Sequence, residues 1–153
     1  MDLKKIKIDI KDPATICTLA GCVILLLASF LPIVKAAGIT SSLMDGNHHG
    51  VVHIILIIAI AVLLVINQPK ILSGVMTAEV IWCLWDMRSV ASDVSDLNKL
   101  STSWGGSKVA SLQIAFYLLI IGALALIAGI VLATMNAKKS APAQPTQPTQ
   151  PMQ

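Results

Sequence analysis

Apolar residues in this chain gather into long blocks with almost no charge, separated by short polar stretches. Blocks of about 18–20 apolar residues are long enough to cross the hydrocarbon core of a bilayer as helices. The pattern predicts four spans, at residues 14–34, 51–66, 71–88 and 109–135. It implies an all-α polytopic membrane protein, a bundle of four transmembrane helices in one domain over residues 14–136. Asp12 and Pro13 suit the cap and first turn of the first span. Asn67-Gln68-Pro69-Lys70 reads as a tight turn, because proline disfavours the α conformation in the residue before it. Beyond the third span, Val90, Val94, Leu97 and Leu100 recur at helical spacing, so that helix is expected to continue as an amphipathic extension. Gly105-Gly106 then forms a turn, and Ser107 is placed to cap the fourth helix.

Composition agrees with a membrane solvent. The 153 residues are 56% hydrophobic and 12% charged, about half the charged fraction of a soluble domain. The net charge of +3 is concentrated near the ends of the spans, which suits lipid headgroups and not nucleic acid. With the N-terminus inside, the cytoplasmic side holds Lys4, Lys5, Lys7, Lys11, Lys70, Lys138 and Lys139, and the outer side Lys35, Arg88, Lys99 and Lys108. This bias predicts a multi-pass plasma-membrane protein with both termini cytoplasmic, and it puts Trp85 and Trp104 near the outer interface. The basic segment 1–13 fits a short interfacial helix and an extended strand equally well. In the Pro/Gln-rich tail, residues 137–153, Pro142, Pro145, Pro148 and Pro151 recur with the period of polyproline II. Its K-x-x-P-x-x-P run has the form of an SH3 ligand, but the composition is that of a disordered, solvated tail.

Leu19-Ala20-Gly21-Cys22 has the form of a lipoprotein cleavage box, and Val34-Lys35-Ala36 loosely that of a signal-peptidase site. The apolar run continues past the first and is too long before the second, so an uncleaved anchor is expected. Cys17, Cys22 and Cys83 all fall inside predicted spans, with no disulfide or metal spacing among them, and read as buried packing residues.

Glu79 is the polar residue that carries most information. Counted from residue 71, it lies about 12 Å into the membrane, where a carboxylate must be neutral, paired or hydrated. Depth counting puts Gly21, Cys22, Ala59, Ala61, Ala128 and Gly129 beside it, with Thr18 and Thr77 as the nearest hydroxyls. Asp86 lies seven residues on, so Glu79, Cys83 and Asp86 form one stripe expected to face protein and to be the place of contact with a partner. Asp86 and Arg88 flank the outer end of the helix and point to different sides. His48, His49 and His53 start the second helix near Asp45. His49 and His53 share a face if the helix begins there, a pairing that can hold zinc or copper, or titrate with external pH; no third ligand is fixed by spacing, so interfacial histidines without metal are the expectation. On the fourth helix Ala115, Gly122 and Gly129 recur every seven residues and Ala125, Gly129 and Ala133 every four. With Gly21 they offer close helix contact, for internal packing ahead of self-association. No catalytic triad, paired carboxylates, phosphate loop or HExxH motif is present.

Leu25-Leu26-Leu27-Ala28-Ser29-Phe30-Leu31-Pro32 closing a first span, Asp45-Gly46 in a short outer loop and Tyr117-Leu118-Leu119-Ile120-Ile121-Gly122 in the last span resemble small four-span bacterial membrane proteins of unknown function. Many of these have a zinc ribbon, or a tryptophan after the proline; this chain has Ile33 and no ribbon. The resemblance implies a fold type and a bacterial origin but no activity. The expectation is a non-enzymatic protein of the bilayer, without cofactor or evident small-molecule substrate, acting through another membrane protein or a second copy of itself as an accessory, regulatory or immunity-type component. Alternatives are an oligomeric pore or small transporter, and a histidine-based metal or pH sensor.

Overall fold

The computed structural model describes residues 11–45 and 49–139. The basic segment before Lys11, His48 and residues 140–153 of the Pro/Gln-rich tail lie outside the described residues, while the first three residues assigned to that tail, 137–139, belong to α4. In chain order the elements are α1 (Pro13–Phe30), β1 (Pro32–Ala36), β2 (Ile39–Ser42), α2 (His49–Val65), α3 (Pro69–Ser103), β3 (Ala110–Leu112) and α4 (Ile114–Lys139).

The chain is mostly helical, but the all-α expectation needs correction. A three-stranded antiparallel sheet of order β2-β1-β3 joins the ends of α1 and α4. Asp12 starts α1 as expected: its carboxylate accepts from the Ala14 N–H at 3.3 Å and from the Thr15 hydroxyl at 3.4 Å, and Pro13 occupies the first turn. The helix stops at Phe30, short of residue 34. Pro32 holds Leu31 extended, at φ −82° and ψ 156°, and the β-branched Ile33 and Val34 continue into a strand. Ala37 (φ 49°) and Gly38 (φ 88°) both have positive φ. A two-residue hairpin loop requires this backbone, because it matches the twist of the flanking strands. Val34 then faces Ser41 on one side and Leu112 on the other. Because Ala110–Leu112 are a strand, α4 begins at Ile114 and not at residue 109, and Ser107 caps no helix.

The expected extension of the third helix is present without a break, and α3 runs for 35 residues, about 52 Å. Val94 is buried on it, while Leu97 and Leu100 are exposed. Asn98 ties the extension to β3: its Oδ1 accepts from the Val109 and Ala110 N–H groups, and its Nδ2 donates to the Ala110 carbonyl, all at 2.9 Å.

Among the described residues, two helices are long and apolar enough to cross a membrane, Pro13–Phe30 and the Ile114–Ala137 stretch of α4. They make the tightest pair in the fold. A Cβ on Gly122 would lie 2.6 Å from the Leu25 side chain, one on Gly21 2.9 Å from Leu126, and one on Gly129 2.6 Å from the Thr18 hydroxyl. The seven-residue set Ala115, Gly122 and Gly129 is thus turned inward, whereas Ala133 of the four-residue set is exposed. The apolar core draws on all four helices, with Leu25 and Ala28 from α1, Ile60 from α2, Met76 and Cys83 from α3, and Leu119 and Leu126 from α4.

Candidate functional site: a buried histidine, carboxylate and thiol cluster

Helix α2 is a run of Ile, Leu, Val and Ala broken near its start by His49 and His53, four residues apart and therefore on one face. Helix α3 places Glu79, Cys83 and Asp86 on one stripe, at spacings of four and three. These two faces meet. His53, Glu79 and Cys83 are fully buried and Asp86 is 1% exposed.

His53 is the centre of the cluster. Its Nδ1 lies 2.6 Å from Glu79 Oε1 and its Nε2 2.9 Å from Asp86 Oδ2. The other oxygen of Asp86 lies 2.6 Å from His49 Nδ1, and the His49 side chain is 33% exposed. The groups therefore form a continuous line from a half-exposed imidazole, through a carboxylate and a second imidazole, to a carboxylate in the interior. Both nitrogens of His53 face carboxylate oxygens, so two protons must occupy these two contacts. Either His53 is an imidazolium between two carboxylates, or a neutral imidazole meets one protonated carboxyl group.

Cys83 completes the set. Its Sγ lies 3.7 Å from Glu79 Oε1, as a weak donor, and 3.9 Å from His53 Nδ1. The ligand atoms of His53, Glu79 and Cys83 all fall within 4.8 Å of one another, close enough to share one cation. Two polar atoms here are buried without a partner, Glu79 Oε2 and Trp82 Nε1. The Trp82 ring packs against His49 at a centroid distance of 5.8 Å.

The sequence-predicted residues divide cleanly. Glu79, Cys83 and Asp86 do share a stripe, and it faces α2. Depth counting put Ala59 and Ala61 of α2 beside Glu79; the structure puts His53 there. The hydroxyls expected nearby are used elsewhere: Thr18 donates to the Ala14 carbonyl and Thr77 to that of Ser73, each at 2.8 Å. Asp86 does not flank the outer end of the helix but is enclosed, while Arg88 is exposed. Asp45 does not join His49 or His53. Its Oδ2 accepts from the Ser42 N–H at 2.7 Å and from the Ser42 hydroxyl at 2.9 Å, which holds its carboxyl below the usual range.

A signal for the His53–Glu79 pairing existed in the sequence. Helix α3 starts at Pro69, two residues before the expected start. Counted outward from the α2–α3 turn, Glu79 is then level with residue 55, within side-chain reach of His53. A cavity of about 260 Å³ opens at the turn end of the bundle, lined in part by Asp12, Thr15, Asn67 and Ser73, and reaches Met76, one turn from Glu79. Comparison of the chain with family models, with curated proteins and with solved structures finds no match.

Proposed function

We propose that this chain is a non-enzymatic, four-span plasma-membrane protein with both termini in the cytoplasm, which acts by contact with another membrane component. Support for the four spans comes from where the side chains point. Ile16, Val23, Leu27 and Phe30 on α1, Ile55, Ile58 and Val62 on α2, Ile81, Leu84 and Trp85 on α3, and Ile121, Leu124 and Val131 on α4 are all exposed. Only 39% and 33% of the two longest apolar stretches are buried, whereas a core helix of a water-soluble protein is buried over most of its surface. Between residues 71 and 87 the sequence holds two ionisable carboxylates, Glu79 and Asp86, and both are turned inward. The exposed Thr77 hydroxyl is satisfied within its own helix. A surface of this kind suits hydrocarbon. The balance of lysine and arginine supports the inward termini.

The observation that carries the contact reading is the length of α3. At about 52 Å it exceeds the roughly 30 Å hydrocarbon core by some 20 Å. The surplus is held rigid by Asn98 and the sheet, and it displays Leu97, Leu100 and Trp104 at 43%, 56% and 85% exposure. An apolar row on a braced outer helix is a surface for another membrane component. Photo-crosslinkers at Leu100 and Trp104 in native membranes are expected to give one discrete adduct, while the same groups at Ile58 and Val62 give lipid products. Adducts of the same pattern from both sets, or from neither, would remove this reading.

A further inference from the structure

The buried cluster has the composition and shape of a metal site. We propose that His53 Nδ1, a Glu79 carboxylate oxygen and Cys83 Sγ bind one divalent cation of borderline softness, with zinc as the type. The inference rests on the cluster alone and not on the contact reading above.

Three observations carry it. The first is ligand geometry. A tetrahedral ion with Zn–S of about 2.3 Å and Zn–N and Zn–O of about 2.0 Å separates its ligand atoms by roughly 3.3–3.6 Å. The Sγ to Nδ1 and Sγ to Oε1 distances of 3.9 and 3.7 Å already lie near those edges. The 2.6 Å contact between Nδ1 and Oε1 is a hydrogen bond and opens as the ion replaces the proton it contains. The second is the unpartnered oxygen. Glu79 is fully buried and its Oε2 has no hydrogen-bond partner, a costly arrangement for a polar atom. A cation held by this carboxylate, through one oxygen or both, offsets the cost of burying it.

The third is the outer ring of contacts. Metal-binding histidines almost always donate their second ring N–H to a carboxylate, a backbone carbonyl or a water, which fixes the tautomer and the ring plane. His53 Nε2 faces Asp86 Oδ2 at 2.9 Å, and Asp86 is held in turn by His49. His53 is thereby set with Nδ1 toward Glu79 and Cys83. The combination of thiolate, imidazole and carboxylate excludes magnesium and calcium, which take oxygen ligands.

The test uses the full chain in mild detergent, without a polyhistidine tag, titrated with Co²⁺ under reducing conditions. The expected result is one Co²⁺ per chain, with a thiolate-to-cobalt charge-transfer band, visible bands of tetrahedral intensity, and displacement of both by Zn²⁺. Cys83→Ser abolishes the charge-transfer band, Cys17→Ser and Cys22→Ser leave it unchanged, and Asp86→Asn weakens binding about 10–100-fold. Absence of the band from the unaltered protein, or its survival in Cys83→Ser, would overturn the proposal. If Cys83→Ser does not fold, X-ray absorption on the zinc-loaded natural chain decides: one sulfur in the first shell supports the site, and none ends it. The crosslinking result for the outer helix stands or falls separately.

Discussion

Gly122 packs against Leu25 so closely that no side chain fits between them without displacement. Gly122→Val should destabilise the bundle by about 1–3 kcal/mol, the usual cost of overpacking, measured by denaturant unfolding in detergent. The sequence displayed this seam as a seven-residue repeat of small residues; which helix it met required the third dimension. The His53 pairing is the larger effect. His53→Ala leaves Glu79 and Asp86 buried without their shared partner, and loss of one member of a buried pair costs about 3–5 kcal/mol. Glu79→Gln keeps an acceptor toward His53 and should cost less in the same unfolding measurement. Asp45 gives a weaker and pH-dependent contribution. Its carboxyl is held low by the Ser42 N–H first and by the Ser42 hydroxyl second. What it adds to the Ser42–Asp45 turn is therefore present at neutral pH and is lost as the medium is acidified through its depressed pKa. Amide exchange at Ser42 should quicken on that side only.

At the scale of elements, the helices were legible and the strands were not. Four apolar blocks, Pro13, and the Pro69 turn announce α1 to α4, because a hydrocarbon-length block of apolar residues has few other solutions. The sheet is made of three- to five-residue strands, and the apolar residues of β1 and β3 read as continuations of the neighbouring spans. Ala37 disguises the hairpin further, since asparagine, aspartate or glycine usually marks that position. At φ 49° it is strained, and Ala37→Gly should stabilise the protein by about 1 kcal/mol. Asn98 ties α3 to the sheet. Asn98→Ala removes three hydrogen bonds to the β3 segment, two of them to the Val109 and Ala110 amides. Hydrogen exchange at those amides should accelerate while exchange in α1 and α4 stays as it was.

For the whole molecule, solvent is the deciding question. The four helices turn Ile, Leu, Val and Phe outward and keep Glu79, Asp86 and His53 within, an arrangement that water disfavours and hydrocarbon favours. The buried cluster was only half visible in the sequence: its stripe on α3 could be counted, but the partner on α2 depended on where each helix begins at the turn. The most direct test of the account is single-cysteine labelling in intact cells, on a chain lacking its three natural cysteines. With a membrane-impermeant reagent, Thr40→Cys and Thr102→Cys are expected to label at once, and Gln68→Cys and Asn136→Cys only after the membrane is opened. Labelling of Gln68→Cys and Thr102→Cys from the same side would contradict it.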